Sequence, residues 1–316
     1  MSPPVHWAHI GESTFAAGMW FLYAVHRLFG RGPFRLCLYP VVLYYWAVKS
    51  KARRASMQYL QRMEAAHGLF GRPPAWRHNI RHFLSFAETL LDKLLAIGGR
   101  YRFAKVRFEG LDAVLPALAA GQGGLVVTAH VGCLELCRAL ADRTPALRLN
   151  VLVHTAHAER FNRMMRRLDA GSAIELIQVS DVSAATAVML AEKVARGEFV
   201  AIAGDRVPVA ASKTVMAEFL GRPAPLPVGP YVLAALLKCP LYLMGCLREA
   251  EGHVVRFELL AERVELPRAR RNAALAAHAA HFTRRLEALL VRAPYEWFNF
   301  FAFWDQCPGA HPQSNP

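Results

Sequence analysis

A histidine and a glutamate five residues apart, His130 and Glu135, stand in the run Val126-Val127-Thr128-Ala129-His130-Val131-Gly132-Cys133-Leu134-Glu135. An imidazole can take a proton from a hydroxyl near neutral pH, and a carboxylate beside it fixes its tautomer and stabilises the imidazolium that forms. The pair therefore has the residue types of a general base and its orienting partner. On one continuous helix, at roughly 100° per residue, positions five apart diverge by about 140° and would not face each other. They can meet if His130 lies in a turn after a strand and Glu135 in the first turn of the next helix, with Gly132 giving the backbone its freedom between them. The spacing alone fits a core histidine and a surface glutamate equally well, because H-x4-E is a loose pattern.

The surrounding elements suit the first reading. Leu125 to Ala129 is short, apolar and β-branched, and Gly121, Gly123 and Gly124 precede it, as expected of a buried parallel strand. Leu134 to Leu140 reads as the start of a helix. Further strands are predicted at Tyr101–Phe108, Leu149–Val153, Ile174–Val179, Phe199–Ala203, Leu241–Leu247 and Val254–Leu260. Helices are predicted at Leu111–Ala120, Ala158–Leu168, Ala184–Arg196, Gly229–Leu237 and Asn272–Val291. That alternation gives an α/β class with a mostly parallel central sheet flanked by helices. In such sheets ligands bind beyond the carboxyl ends of the strands, which is where His130 would lie.

The same edge gathers other candidates. Asp205 and Arg206 follow the strand Phe199–Ala203; Arg206 can grip a phosphate or carboxylate in a bidentate fork, with Asp205 orienting it, although a local surface pair in a turn is an equal alternative. His154 and Asn162 bracket another strand-to-helix passage and rank lower as substrate-binding residues. Phe219 to Pro230 reads as a proline-rich loop that could shape a pocket rim, with the helix start near Gly229 able to admit a phosphate or an acyl chain, although a rigid loop with no ligand is the safer reading. Pro294 to Trp304 is dense in aromatics and reads as a closing element across the sheet. No P-loop, dinucleotide fingerprint or G-x-S-x-G elbow is present.

Composition narrows the partners. The chain has 316 residues, is 54% hydrophobic and carries a formal net charge of +14. A chain both basic and apolar suits an anionic membrane surface or an acidic carrier better than nucleic acid, for which it shows no recognisable module. Six cysteines are scattered without C-x2-C pairs, so neither a metal site nor a disulfide framework is expected. Thr14–Gly30 and Phe34–Val48 read as an apolar, aromatic-rich helical hairpin turning at Gly30-Arg31-Gly32-Pro33. His26, Arg27, Arg31 and Arg35 interrupt it, so neither segment offers the roughly 20 apolar residues of a membrane span. Its aromatics and the cations Lys49, Lys51, Arg53 and Arg54 suit a monotopic hairpin at the membrane interface, with an ordinary buried helix pair as the alternative. No secretory signal is evident at the start. Ala52–Ala66 and Trp76–Ile97 follow as amphipathic helices. The expected division is residues 1–50 as the hairpin, 51–307 as the α/β domain and 308–316 as a disordered tail.

The order strand, H-x4-E, G-D-R turn, Phe219-Leu220-Gly221-Arg222-Pro223-Ala224-Pro225-Leu226-Pro227-Val228-Gly229 and terminal Pro294-Tyr295-Glu296-Trp297-Phe298-Asn299-Phe300-Phe301 resembles the lysophospholipid acyltransferase superfamily. Within it, the chain looks like the lipid A biosynthesis (lauroyl/myristoyl) acyltransferases. Its amino end is similar to a bacterial subgroup of predicted acyltransferases found with lipid and aryl-polyene pathways. The resemblance implies His130 as general base with Glu135 as its partner. It also implies a thioester donor on acyl carrier protein or coenzyme A, and Arg206 as a contact to an anionic group of donor or acceptor. No cofactor or metal is implied. The glycerolipid branch's E-G-T-R and G-x-x-F-I-x-R blocks are missing, which argues against lysophosphatidate as the acceptor. The expected activity is transfer of a fatty acyl group to a hydroxyl or amine of a lipid or lipid precursor, on the cytoplasmic face of the inner membrane. A thioesterase using water and a non-catalytic membrane scaffold are the rivals.

Overall fold

The computed structural model describes residues 16–101, 103–137, 147–153, 174–178, 184–207, 213–250 and 252–305. Four long helices come first: α1 (Ala16–Phe29), α2 (Arg31–Val48), α3 (Ser50–His67) and α4 (Trp76–Ile97). A seven-stranded sheet follows, built from β1 (Val106–Glu109), β2 (Gly124–Thr128), β3 (Leu149–Val153), β4 (Ile174–Gln178), β5 (Phe199–Ala203), β8 (Leu241–Glu249) and β9 (Gly252–Ala261). The order is β1-β9-β8-β2-β5-β3-β4, and every pairing is parallel except β8 with β9. The chain is thus an α/β protein, and β2 occupies the middle of its sheet.

The burial of β2 on both faces explains its unbroken apolar sequence. Leu125 and Val127 face one core, Val126 the other, following the two-residue period of a strand. The first core is closed by α6 (Ala184–Ala195), α7 (Gly229–Leu237) and α8 (Arg271–Arg292), which contribute Leu190, Tyr231, Phe282 and Leu286. The second holds Phe199, Tyr242 and Met244 beneath Leu136 and Ala96.

The proline-rich stretch is not a loop. Residues Thr214–Phe219 and Arg222–Pro227 form an antiparallel ribbon, β6 and β7. Pro223, Pro225 and Pro227 take alternate positions of β7, so their missing N–H groups fall on one edge, and a two-stranded ribbon leaves such an edge without a ladder to complete. Two other expectations shift in detail. Strand β1 is only Val106–Glu109, preceded by a 3₁₀ turn at Phe103–Lys105, and α5 shortens to Leu115–Ala119. The predicted helix at 158–168 and the tail at 308–316 lie outside the described residues.

The hairpin of α1 and α2 packs on α4. Two of the cations that interrupt its apolar run, though exposed, pair with carboxylates of α4: Arg31 with the fully buried Asp92, and Arg35 Nε donates to Glu88 Oε1 at 2.8 Å. Arg248 of β8 also reaches Asp92, at 2.7 Å, so the hairpin is tied to the sheet through shared carboxylates. Arg53 does not face outward as a free cation. It donates to the carbonyls of Trp46 and Ala47 at the end of α2, whereas Lys49, Lys51 and Arg54 are exposed. Among the described residues no helix is long and apolar enough to cross a membrane.

Candidate active site

Strand register brings together two residues far apart in sequence. Thr128 of β2 pairs with Ala203 of β5, so two residues beyond each strand His130 and Asp205 emerge side by side at the carboxyl edge. The strands stay close beyond their ends: Gly204 N–H donates to Thr128 O at 2.8 Å, and a Cβ on Gly204 would lie 2.4 Å from Val127 Cγ2. Gly132 then turns the chain at φ +56°, in a space where a Cβ would sit 1.8 Å from the Cys246 carbonyl oxygen.

Asp205 is fully buried and accepts four hydrogen bonds. His130 Nδ1 donates to Oδ1 at 2.8 Å; the His130 backbone N–H at 2.9 Å, Trp297 Nε1 at 3.1 Å and Asn299 Nδ2 at 2.8 Å all donate to Oδ2. Burial alone would favour a neutral carboxyl, but the bonds from His130 and the nearby Arg206 charge hold it well below the usual carboxylate range. An ionised carboxylate can only accept, so Nδ1 of His130 carries the proton and Nε2 keeps its lone pair.

The imidazole therefore presents an unprotonated nitrogen. Burial and the positive charges of Arg206 and Lys93 lower its pKa, with Asp205 opposing them, so it is neutral at pH 7. Its side chain is 34% exposed, and no hydrogen bond among the described residues engages Nε2. The Pro294–Trp304 segment, expected as a closing element, holds this turn by its main chain. Gly132 N–H donates to Glu296 O at 2.9 Å, Phe298 N–H donates to His130 O at 2.8 Å, and Val131 bridges Trp297.

Glu135 stands elsewhere in the site. Leu134–Cys137 is a 3₁₀ turn packed against α4, and Glu135 Oε1 accepts from Lys93 Nζ at 2.9 Å while Cys133 Sγ lies 3.5 Å from Oε2. The carboxylate on the imidazole is thus Asp205, not Glu135, and Asp205 orients the histidine rather than Arg206. Arg206 is held by Asn299 Oδ1, at 2.7 Å from its Nε, and by the Phe298 carbonyl, at 3.1 Å; burial draws its pKa down to about 10. Gly229 opens α7, and a Cβ there would meet nothing within 4 Å. His154 and Asn162 lie outside the described residues. Among the described residues no group of three or more potential metal ligands assembles.

Sequence reasoning missed Lys93, the donors Trp297 and Asn299, and a buried relay behind them. Trp46 Nε1 donates to Asn79, Asn79 to Ser56 and Ser56 to His82 Nδ1, while His82 Nε2 donates to the Trp297 carbonyl at 2.8 Å. Burial lowers the pKa of His82 to about 4, so the ring is neutral and this donor order follows. The relay links α2, α3 and α4 to the segment that grips His130.

An imidazole oriented by a buried carboxylate thus stands partly open at the carboxyl edge of a central parallel strand, where α/β sheets place ligands. Residues 95–305, 211 of the 316, match the model of the bacterial lipid A biosynthesis acyltransferase family. The chain belongs to that family and is an acyltransferase of lipid biosynthesis. No curated protein matches the chain.

Proposed function

We propose that this enzyme transfers a fatty acyl group from a thioester on acyl carrier protein to a hydroxyl or amine of a lipid precursor at a membrane surface, with His130 as the base. The observation that carries the reading is the open Nε2 of an imidazole whose Nδ1 is committed to Asp205. Nε2 removes the acceptor proton as the acceptor attacks the thioester carbonyl. The tetrahedral adduct collapses by expelling the thiolate, which takes the proton back from the imidazolium. Asp205 compensates the imidazolium charge between the two steps. Arg206 is the candidate contact for an anionic group of donor or acceptor. The net charge of +14 favours encounter with an acidic carrier at low salt.

Exposed apolar side chains support the membrane part of this reading. Phe21, Leu28, Phe29, Leu36 and Tyr44 of the hairpin are each 60–75% exposed, beside the exposed cations Lys49, Lys51 and Arg54. Apolar and aromatic groups flanked by cations suit an anionic lipid interface. The test is transfer of labelled acyl groups from acyl carrier protein into a total bacterial lipid extract, comparing wild type with His130→Ala. A labelled lipid product that requires His130 is expected, and its mass identifies the acceptor. Free fatty acid as the sole product would overturn transfer in favour of hydrolysis.

A further inference from the structure

Resting on His130 as the base of acyl transfer, we infer that Asn299 is a positioning residue, whose amide bridges Arg206 to Asp205 and so fixes the carboxylate that orients the imidazole. Asn299 is buried, with 1% of its surface exposed. Its Nδ2 donates to Asp205 Oδ2 at 2.8 Å, and its Oδ1 accepts from Arg206 Nε at 2.7 Å. Neither end of the amide is open to choice. The ionised Asp205 can only accept and a guanidinium can only donate, so the two partners orient the amide between them. This place requires a donor and an acceptor on one short, planar group. Aspartate has no donor, and leucine, of similar size, has neither.

The bridge matters because its two partners act on the imidazole in opposite senses. When the acceptor proton reaches Nε2, Asp205 on the other nitrogen favours the imidazolium, while the charges of Arg206 and Lys93 disfavour it. A shift of either bridged side chain therefore changes how readily His130 takes the proton. Asp205 Oδ2 receives the His130 backbone N–H, Trp297 Nε1 and Asn299 Nδ2, which leaves Oδ1 facing Nδ1 of the imidazole. Of these three donors, Asn299 alone also takes the single hydrogen of Arg206 Nε. Arg206 also donates to the Phe298 carbonyl at 3.1 Å and lies over the Phe301 ring, 5.7 Å from its centre. Residues 297–301 thus grip both the anion that favours the imidazolium and a cation that opposes it, and Asn299 is where the two grips join. Without the amide, Asp205 loses one donor and Arg206 Nε loses its acceptor in a buried place, so each must move to find another partner.

The alternative is that Asn299 braces the C-terminal segment and nothing more. The two roles separate in a double-mutant cycle of Asn299→Leu with Asp205→Asn. Asn299→Ser, smaller and polar, stands beside N299L, and melting curves confirm the fold of each. Turnover is followed as thiol release from acyl carrier protein thioester in the presence of total bacterial lipid extract vesicles. N299L and N299S should lower kcat on the order of 10–10²-fold, the worth of one hydrogen bond to a charged group carried into the barrier. On the D205N background, where the carboxylate charge is already gone, N299L should change kcat by less than about threefold. Proton NMR reads the same geometry with no substrate present. The His130 Nδ1 proton, held on Asp205, should give a low-field resonance that is missing in His130→Ala and weakened in N299L. An equal fold-loss from N299L in both backgrounds would overturn the inference, as would wild-type turnover in N299L or an unaltered His130 resonance. In each of these cases loss of turnover in His130→Ala would leave the acyl-transfer reading standing; wild-type turnover in His130→Ala would sink both.

Discussion

Trp297 donates its indole N–H to the same oxygen of Asp205 that receives the His130 backbone N–H, and its own carbonyl accepts the N–H of His82. The C-terminal aromatic segment thereby sets the position of the carboxylate as well as the turn that carries His130. An orienting group of this kind acts through tautomer and charge. Asp205→Asn keeps the shape but loses the charge and offers an amide that can donate to Nδ1, favouring the wrong tautomer. We expect kcat to fall on the order of 10²–10⁴-fold with the fold retained. Trp297→Phe, which removes one donor from the buried Asp205 and leaves a smaller ring in a fully buried place, should cost at least about 1–3 kcal/mol in urea melts and lower kcat less than D205N. Steady-state kinetics and melts on the two variants check both.

The turn itself tolerates no side chain. Gly132→Ala would place Cβ 1.8 Å from a backbone oxygen at φ +56°. Neither term relaxes by rotating a side chain, so a loss of more than about 2 kcal/mol of stability is expected, together with loss of turnover. An unchanged urea midpoint would contradict the packing described around Cys246.

How much of this was legible from sequence depends on whether the determining contacts are local. The strand before His130 is visible because burial on both faces demands an unbroken apolar run, and Gly132 is visible as a turn. The carboxylate partner of His130 is not, because it comes from strand register between positions 75 residues apart, and H-x4-E offers a nearer carboxylate that turns to Lys93 instead. Lys93 itself sits in an amphipathic helix, where the pattern does not separate a solvated lysine from one paired with a carboxylate. The proline-rich ribbon was hidden because proline normally argues against strands, and an edge strand is the exception. Arg53 shows the same limit on the surface: its charge suggests lipid, while its contacts close the end of α2.

Lipid binding is open to direct test. Phe29 and Leu36 are 66% and 75% exposed, so replacing both with serine removes apolar surface without opening a core cavity. Each apolar side chain withdrawn from lipid forfeits up to about 1.5–3 kcal/mol, so vesicle binding should weaken on the order of tenfold or more if both residues insert fully. Sedimentation with phosphatidylglycerol vesicles reads this directly. Binding by wild type should also fall with added salt if Lys49, Lys51 and Arg54 contribute, because exposed charges are screened. Equal sedimentation of wild type and the double variant would remove the hairpin from the interface.

Stability should depend on pH through two buried groups of opposite sign. His82 has a folded pKa of about 4 against an ordinary 6.5, because burial disfavours its cation. Its contribution is present above pH 6.5 and lost as pH falls toward 4, a change of about 3 kcal/mol. Glu296 runs the other way. Burial pushes it up to about 7 from 4.5, against the pull of Arg248 and Ser85, and its Oε2 has no hydrogen-bond partner among the described residues. The folded form holds this proton more tightly than the unfolded chain. Its contribution is therefore full below pH 4.5 and declines as pH rises through 7, again by about 3 kcal/mol. Glu296→Gln removes the titration while keeping the carbonyl that receives Gly132 N–H. Urea melts of wild type and E296Q from pH 5 to 8.5 should diverge, with the variant gaining relative stability as pH rises. Parallel curves would show that Glu296 is already ionised in the folded protein at pH 5.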